Sequence, residues 1–180
     1  MTSHRITWFF LTIGLAWTSP MAAQSLQRFS IQGTGVYLIR RAAPSKDVTE
    51  NRRTAGGEAQ LRYTIPLSRL SVGVGYQVSS VQSVFIEPRV VVAASEQLAL
   101  YLSGRAGLAK LVCDGSTPCA AQRMQQSLGV GGGGLIQTSS RVALDLGVLY
   151  QSIYFHPVGV GNLSSRTGWY QLRVGLSIGL

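Results

Sequence analysis

The residues that could perform nucleophilic hydrolysis cluster around one histidine. A serine nucleophile needs a histidine base and an acidic partner, and the chain contains only His4 and His156. Three serines flank the second histidine: Ser152, Ser164 and Ser165. No His-x-Ser spacing occurs there, so we interpret His156 as an ordinary loop residue and predict that the protein is not an enzyme.

Two further patterns that could hold a substrate or cofactor are weak. The 7 Asp and Glu residues are scattered and mostly matched by arginines, which does not indicate the paired carboxylates of a glycosidase. The glycine-rich stretch 129–134 is not followed by Lys-Ser or Lys-Thr, as a phosphate-binding loop would require. It favours a sharply bent strand, and we predict no cofactor.

The two cysteines predict a local disulfide. Cys113 and Cys119 enclose five residues of turn-forming types. A structural zinc site needs four ligands, and His156 lies far along the chain, so we predict no metal. Closing so small a loop stabilises by about 2–3 kcal/mol on the chain-entropy model, and it implies an oxidising compartment.

The N-terminus has the pattern of a secretory signal. A positive charge at Arg5 precedes the apolar run 6–17, and small residues follow up to Ala23. This predicts a signal peptide over 1–23 and one domain over 24–180, since a spanning helix needs roughly 20 apolar residues. The net charge is +9 without a block of basic residues. We predict anionic lipid head groups as partners and no nucleic acid.

Alternation with a period of two residues dominates the rest of the chain. Even-numbered residues from Tyr170 to Leu180 are apolar, whereas the odd-numbered residues from Trp169 to Gly179 are mostly polar or glycine. The same pattern predicts eight strands, at 28–40, 55–65, 69–79, 84–94, 97–110, 124–137, 141–154 and 167–180. Tilted strands of this length can cross a bilayer.

The connections between these strands are of two kinds. Those after the second, fourth and sixth strands are short: 66–68, 95–96 and 138–140. Those after the first, third, fifth and seventh are 41–54, 80–83, 111–123 and 155–166, and all but the second of these are long. This predicts an all-β fold, an eight-stranded antiparallel up-and-down transmembrane β-barrel with short turns and both termini in the periplasm.

The polar face of the strands predicts a packed lumen. It carries Gly, Ser and Gln instead of the Lys and Glu of a wetted surface, and facing glycines leave room for Tyr101 and Trp169. Its charges should pair, and they are Glu58, Arg62, Glu87, Arg89, Arg105, Asp145 and Arg173. A turn centred on Glu96 places Glu87 opposite Arg105. A turn centred on Ser139 places Asp145 opposite Gly133, within reach of Arg173.

Two features predict contact with lipid at the long-loop end. Tyrosines on the apolar face form the expected interfacial belt: Tyr37, Tyr76, Tyr150, Tyr154 and Tyr170. Phe29 and Tyr63 form a thinner belt at the other end. Four arginines lie where the first loop meets its strands, Arg40, Arg41, Arg52 and Arg53. We predict that they contact lipopolysaccharide phosphates through charge-assisted hydrogen bonds.

The eight amphipathic strands, the alternating loop lengths and the export signal together resemble the small outer-membrane barrels of the OmpA and OmpX type. The final strand is the best match, although it ends in Leu180 where such families have an aromatic residue read by the barrel-assembly machinery. The resemblance implies a monomeric, non-enzymatic outer-membrane protein with a structural or surface-interaction role and little pore activity. The alternatives are a lipid-modifying enzyme of the lipid A deacylase or phospholipase type, and a soluble lipocalin-like ligand binder.

Overall fold

A computed structural model describes residues 28–40, 53–112, 124–155 and 165–180. Its strands are β1 (Phe29–Arg40), β2 (Arg53–Thr64), β3 (Leu70–Val78), β4 (Val81–Ala94), β5 (Leu98–Leu111), β6 (Gln125–Gln137), β7 (Val142–Phe155) and β8 (Ser165–Gly179). Each strand pairs antiparallel with the next, and β8 pairs with β1 to close the barrel. The predicted eight-stranded fold is confirmed, and each strand end lies within three residues of its expected position.

Side chains alternate between the lumen and the outer surface because the strand period is two residues. In β8 the side chains of Gln171 and Arg173 are 0% and 3% exposed, whereas those of Leu172 and Val174 are 45% and 57% exposed. The buried face is therefore polar and the exposed face apolar, the reverse of a water-soluble barrel. An apolar band around the whole barrel is expected where the surroundings are hydrocarbon.

Three short turns lie at one end of the barrel, which we call the short-turn end. The β2–β3 turn passes through Leu67, which has a positive φ of 58°, and the β4–β5 turn is closed by a 2.7 Å hydrogen bond from Ser95 N to Leu98 O. In the β6–β7 turn, Thr138 N donates to Val142 O at 2.9 Å. These three connections match the predicted short ones.

We call the opposite end the loop end. Of its connections the structure describes only the one between β3 and β4, where Ser79 and Ser80 link the strands directly. The Ser79 hydroxyl donates to Val81 O at 2.8 Å and accepts from Val81 N at 3.0 Å. The β3–β4 connection, which was predicted to be the short one at this end, is therefore a two-residue turn. Residues 41–52, 113–123 and 156–164 lie outside the described part of the chain.

Candidate functional site: the barrel lumen

The strand alternation brings seven charged side chains into the lumen. They are the seven expected from the sequence, Glu58, Arg62, Glu87, Arg89, Arg105, Asp145 and Arg173, and none is more than 5% exposed. They come from five strands, β2, β4, β5, β7 and β8. Buried charges are tolerated when they are paired and hydrogen-bonded, so the pairing of this set decides how the lumen is held together.

Glu87 is the centre of this set because its carboxylate contacts four arginines. Arg89 Nε lies 2.8 Å from Glu87 Oε1, and Arg62 Nη2 lies 3.2 Å from the same oxygen. Arg173 Nη1 lies 3.2 Å from Oε2, and Arg105 forms two hydrogen bonds to Oε2, one of them through Nε at 2.9 Å. One acid thus links three strands, β2, β5 and β8, to its own.

Glu58 provides a second link between two of the same arginines. Its Oε2 accepts from Arg105 Nη1 at 2.9 Å, and its Oε1 accepts from Arg173 Nη2 at 2.8 Å. Arg105 and Arg173 are therefore each shared between Glu58 and Glu87. Such shared, multiply hydrogen-bonded contacts are the kind that can offset the desolvation cost of burying ions.

The sequence correctly predicted that Glu87 lies opposite Arg105, but the β4–β5 turn that connects their strands differs from the predicted one. The turn pairs Ala94 with Ala99, one residue away from the expected pairing of 94 with 98. A β-bulge between Val91 and Ala93 then shifts the register by one residue. Past the bulge Arg89 faces Ser103 and Ile86 faces Ala106, a register that sets Glu87 across from Arg105.

The prediction that Asp145 pairs with Arg173 is wrong. The β6–β7 strands pair Asp145 with Leu135 instead of Gly133, because the turn is centred one residue later than Ser139 and the register moves by two. Asp145 therefore lies nearer the short-turn end. Its Oδ2 accepts from Arg89 Nη1 at 2.7 Å and from Gln32 Nε2, and its Oδ1 accepts from the Tyr101 hydroxyl at 2.6 Å.

Glycines leave the space that Tyr101 occupies, as the sequence suggested. A Cβ at Gly133 would lie 2.7 Å from the Tyr101 hydroxyl, and a Cβ at Gly147 would lie 2.9 Å from it. The Arg89 guanidinium lies over the Tyr101 ring, 4.2 Å from its centroid. The phenol is thus held in place for its hydrogen bond to Asp145.

A glutamine layer lies above the charges, toward the loop end. Gln171 Nε2 donates to Gln151 Oε1 at 2.8 Å and to Gln77 Oε1 at 3.2 Å, and Gln151 Nε2 donates to Ser127 Oγ at 3.2 Å. All four side chains are at most 1% exposed. This layer was not predicted from the sequence, although the alternation places each of its members on the lumen face.

An apolar cluster closes the lumen at the loop end. It consists of Leu38, Val81, Ala109, Ile153 and Trp169, each at most 4% exposed. All five residues lie near the ends of their strands that point toward the loop end. Because water reaches almost none of this surface, the cluster leaves no wide aqueous path through the barrel. Of these five residues, only Trp169 was predicted from the sequence to lie in the lumen.

The outer surface carries aromatic side chains at both rims. At the loop end Tyr37, Tyr76 and Tyr170 are 39–43% exposed, and the rings of Tyr150 and Tyr170 are 5.1 Å apart. At the short-turn end the rings of Phe29 and Tyr63 are 5.0 Å apart. Tyr154 also lies on the outward face of β7, half-buried. Aromatic rings at both rims are typical of the lipid–water boundary.

Several predicted residues lie outside the described part of the chain. These are the signal peptide, His156, Ser164, Arg41, Arg52 and the cysteines Cys113 and Cys119. Arg40 ends β1 and Arg53 begins β2, next to each other at the loop end. The described residues contain no cluster of three His, Cys, Asp or Glu that could hold a metal. They also include no helix long and apolar enough to cross a membrane.

Comparison with known proteins identifies the fold. No protein-family model and no curated protein matches the chain. Neisserial surface protein A has a TM-score of 0.69 at 16% identity, covering 86% of this chain and 98% of that one. OprH of P. aeruginosa has a TM-score of 0.55 at 17% identity, with coverages of 85% and 99%. The N-terminal barrel of P. aeruginosa OprF has a TM-score of 0.51 at 12% identity, with coverages of 84% and 98%.

The apolar outer band, the aromatic rims, the filled polar lumen and these structural matches agree with one another. This chain has the fold of the small eight-stranded outer-membrane β-barrels.

Proposed function

We propose that this protein is a non-enzymatic barrel of the bacterial outer membrane, exported by a cleaved signal peptide, which acts through its loops and its lipid-facing rim. The observation that carries this proposal is the filled lumen beneath an apolar outer band. A barrel that conducts solutes needs a continuous aqueous path, whereas here Trp169 and its neighbours close one end. Structural and surface-interaction roles do not need such a path.

Membrane insertion is tested by fractionation and by electrophoresis in detergent with and without boiling. We expect the protein in the outer-membrane fraction, in a compact form that changes mobility only after heating. Recovery from the soluble periplasm would overturn the proposal and favour a soluble, lipocalin-like binder.

The closed lumen is tested by conductance in planar bilayers. We expect the natural protein to show little or no channel activity, because the cluster around Trp169 blocks the loop end. Replacing Trp169 and Ile153 with alanine removes two of its large side chains and should introduce measurable current steps. Tyr170→Ala is the control, since it truncates an outward-facing residue of the same strand. Large, stable currents from the natural protein would contradict the closed lumen.

The absence of enzymatic activity is tested at His156. We expect lipid A and phospholipid profiles, measured by mass spectrometry, to be the same in cells that produce the natural protein and His156→Ala. A lipid modification that depends on His156 would instead support the lipid-modifying enzyme.

A lipopolysaccharide contact at the loop end is part of the proposal. Arg40 and Arg53 occupy adjacent strand ends at the loop end, where the outer leaflet would lie, and Arg41 and Arg52 are their neighbours in the sequence. We expect the fourfold replacement by Gln to reduce the lipopolysaccharide that co-purifies with the barrel. Replacing Arg28 and Arg141, exposed at the short-turn end, is the control. Unchanged co-purification in the fourfold variant would refute the contact.

A further inference from the structure

The buried charges of the described lumen do not balance. Four arginines, Arg62, Arg89, Arg105 and Arg173, face three acids, Glu58, Glu87 and Asp145. The guanidinium group stays protonated under all ordinary conditions. One positive charge is therefore left over among side chains that are at most 5% exposed, and an uncompensated buried charge is strongly unfavourable. A bound anion close to these arginines would supply the missing negative charge.

Two of these arginines each keep one hydrogen-bond donor without a partner. Arg62 donates to Ser71 Oγ at 3.0 Å and to Glu87 Oε1 at 3.2 Å, but its Nε has no partner. Arg89 donates to Glu87 and Asp145, but its Nη2 has no partner. Both side chains are at most 5% exposed. A buried donor without an acceptor is rare and calls for a missing partner.

Both arginines line a cavity near the short-turn end. Its volume is about 40 Å³, and its wall also includes Arg69 and the hydroxyl-bearing residues Ser30, Ser71 and Ser177. No Asp or Glu is part of that wall. Thr64, Ser71 and Arg69 at its outer part are half-buried, so the cavity connects the turns with the buried guanidinium groups. Arg173 also has an unused Nε, but it does not line the cavity.

The size of the cavity limits what it can hold. A cavity needs at least about 10–15 Å³ of such volume to hold one water molecule, so 40 Å³ accommodates a few waters or one ion of similar size. The two buried arginines, Arg62 and Arg89, and several hydroxyl donors in the wall favour an anion over a cation or an uncharged ligand.

We propose that this cavity binds one small inorganic anion of halide size. The anion enters from the short-turn end, lies against the guanidinium groups of Arg62 and Arg89 that line the cavity, and neutralises the surplus charge of the lumen. It is thus a structural ligand of the barrel, and its binding requires only that the barrel be folded, whatever role the loops have.

Thermal stability in detergent micelles tests the proposal. The temperature at which half of the barrel loses its compact electrophoretic form is measured while sodium chloride replaces sodium gluconate at constant sodium concentration. For the natural protein we expect this temperature to rise with the logarithm of chloride concentration, as it does when a ligand binds only the folded state. Gluconate is too large for the cavity, so it serves as the non-binding anion.

Arg62→Gln separates anion binding from a general effect of salt. It removes one positive charge, which leaves three arginines against three acids, and it removes the Nε donor. We expect at most half of the chloride response of the natural protein. Arg141→Gln removes an exposed arginine at the same end and should keep the full response. Equal responses of the natural protein and Arg62→Gln would overturn the proposal.

A second measurement needs no variant. Crystals of the natural protein soaked in sodium bromide should show an anomalous scattering peak in the cavity, beside the Arg62 and Arg89 side chains. Density for water alone at that position would overturn the proposal.

Discussion

Replacing Glu87 with glutamine is the most informative perturbation of the lumen. The substitution keeps the size of the side chain but removes the charge that Arg62, Arg89, Arg105 and Arg173 share. The buried surplus rises from one positive charge to two. Removing one partner from a buried ion pair costs about 3–5 kcal/mol, and we expect a loss in this range because Glu58 and Asp145 still hold three of the four arginines.

Combining Glu87→Gln with Arg105→Gln measures the contact itself. Arg105→Gln alone loses bonds to both Glu87 and Glu58, but it also removes the surplus charge. A charge-assisted hydrogen bond contributes about 1.5–3 kcal/mol, so we expect a loss near the upper end of that range. Since the double variant removes both ends of one contact, its loss should fall short of the sum by about 1–3 kcal/mol.

Urea unfolding in lipid vesicles, followed by tryptophan fluorescence at constant chloride concentration, measures these losses. Trp169 is the natural reporter because it is buried in the apolar cluster, and the other tryptophans, Trp8 and Trp17, belong to the predicted signal peptide. Glu96→Gln in the exposed β4–β5 turn is the control and should change stability by less than about 0.5 kcal/mol. Losses that simply add in the double variant would refute direct coupling between Glu87 and Arg105.

Three further substitutions test the packing on both faces of the barrel. Tyr101→Phe keeps the ring but loses the 2.6 Å bond to Asp145, and should cost about 1.5–3 kcal/mol in the same urea assay. Gly147→Ala places a Cβ 2.9 Å from the Tyr101 hydroxyl and should cost about 1–3 kcal/mol, whereas Gly57→Ala, with nothing within 4 Å of the added Cβ, should cost little. Val174→Arg puts a charge at mid-height on the outer face, and should cost about 2–4 kcal/mol in a bilayer. Losses of equal size for the two glycine variants, or tolerance of Arg at 174, would contradict the assigned faces.

The sequence predicted which face of each strand is buried more reliably than which residues meet. Period-two alternation decides the face, and a register shift of two residues leaves it unchanged. Asp145 shows this clearly, since it points into the lumen as expected but opposite Leu135 instead of Gly133. The error arose in the β6–β7 turn. When the centre of a turn moves by one residue, the partner of every residue in the two strands shifts by two.

The Glu87–Arg105 pair shows the opposite case, in which two local deviations cancel. The β4–β5 turn is longer by one residue than the sequence suggested, and the bulge after Val91 takes up that residue. Neither deviation has a clear sequence signal, because alternation in β4 is interrupted by two apolar runs, 84–86 and 90–94, and the bulge lies in only the second of them. The pair was therefore predicted correctly, although the turn and the bulge that produce it were not.

Contacts across the barrel were beyond the reach of the sequence. Gln77 and Gln171 are hydrogen-bonded although their strands are not neighbours, and Arg173 reaches Glu58 and Glu87 in the same way. Such contacts depend on the tilt and stagger of all eight strands together. The alternation of one strand, or the register of one pair, contains no information about them.

The lumen is closed at one end and accessible at the other, and this asymmetry constrains function. Apolar side chains and then glutamines fill the loop end, whereas the charged layer borders a cavity at the short-turn end. In the proposed orientation, a ligand from outside the cell meets only loops and the aromatic rim. An ion that reaches the buried arginines must come from the periplasm. Recognition at the cell surface and ion binding in the lumen would therefore use separate parts of the barrel.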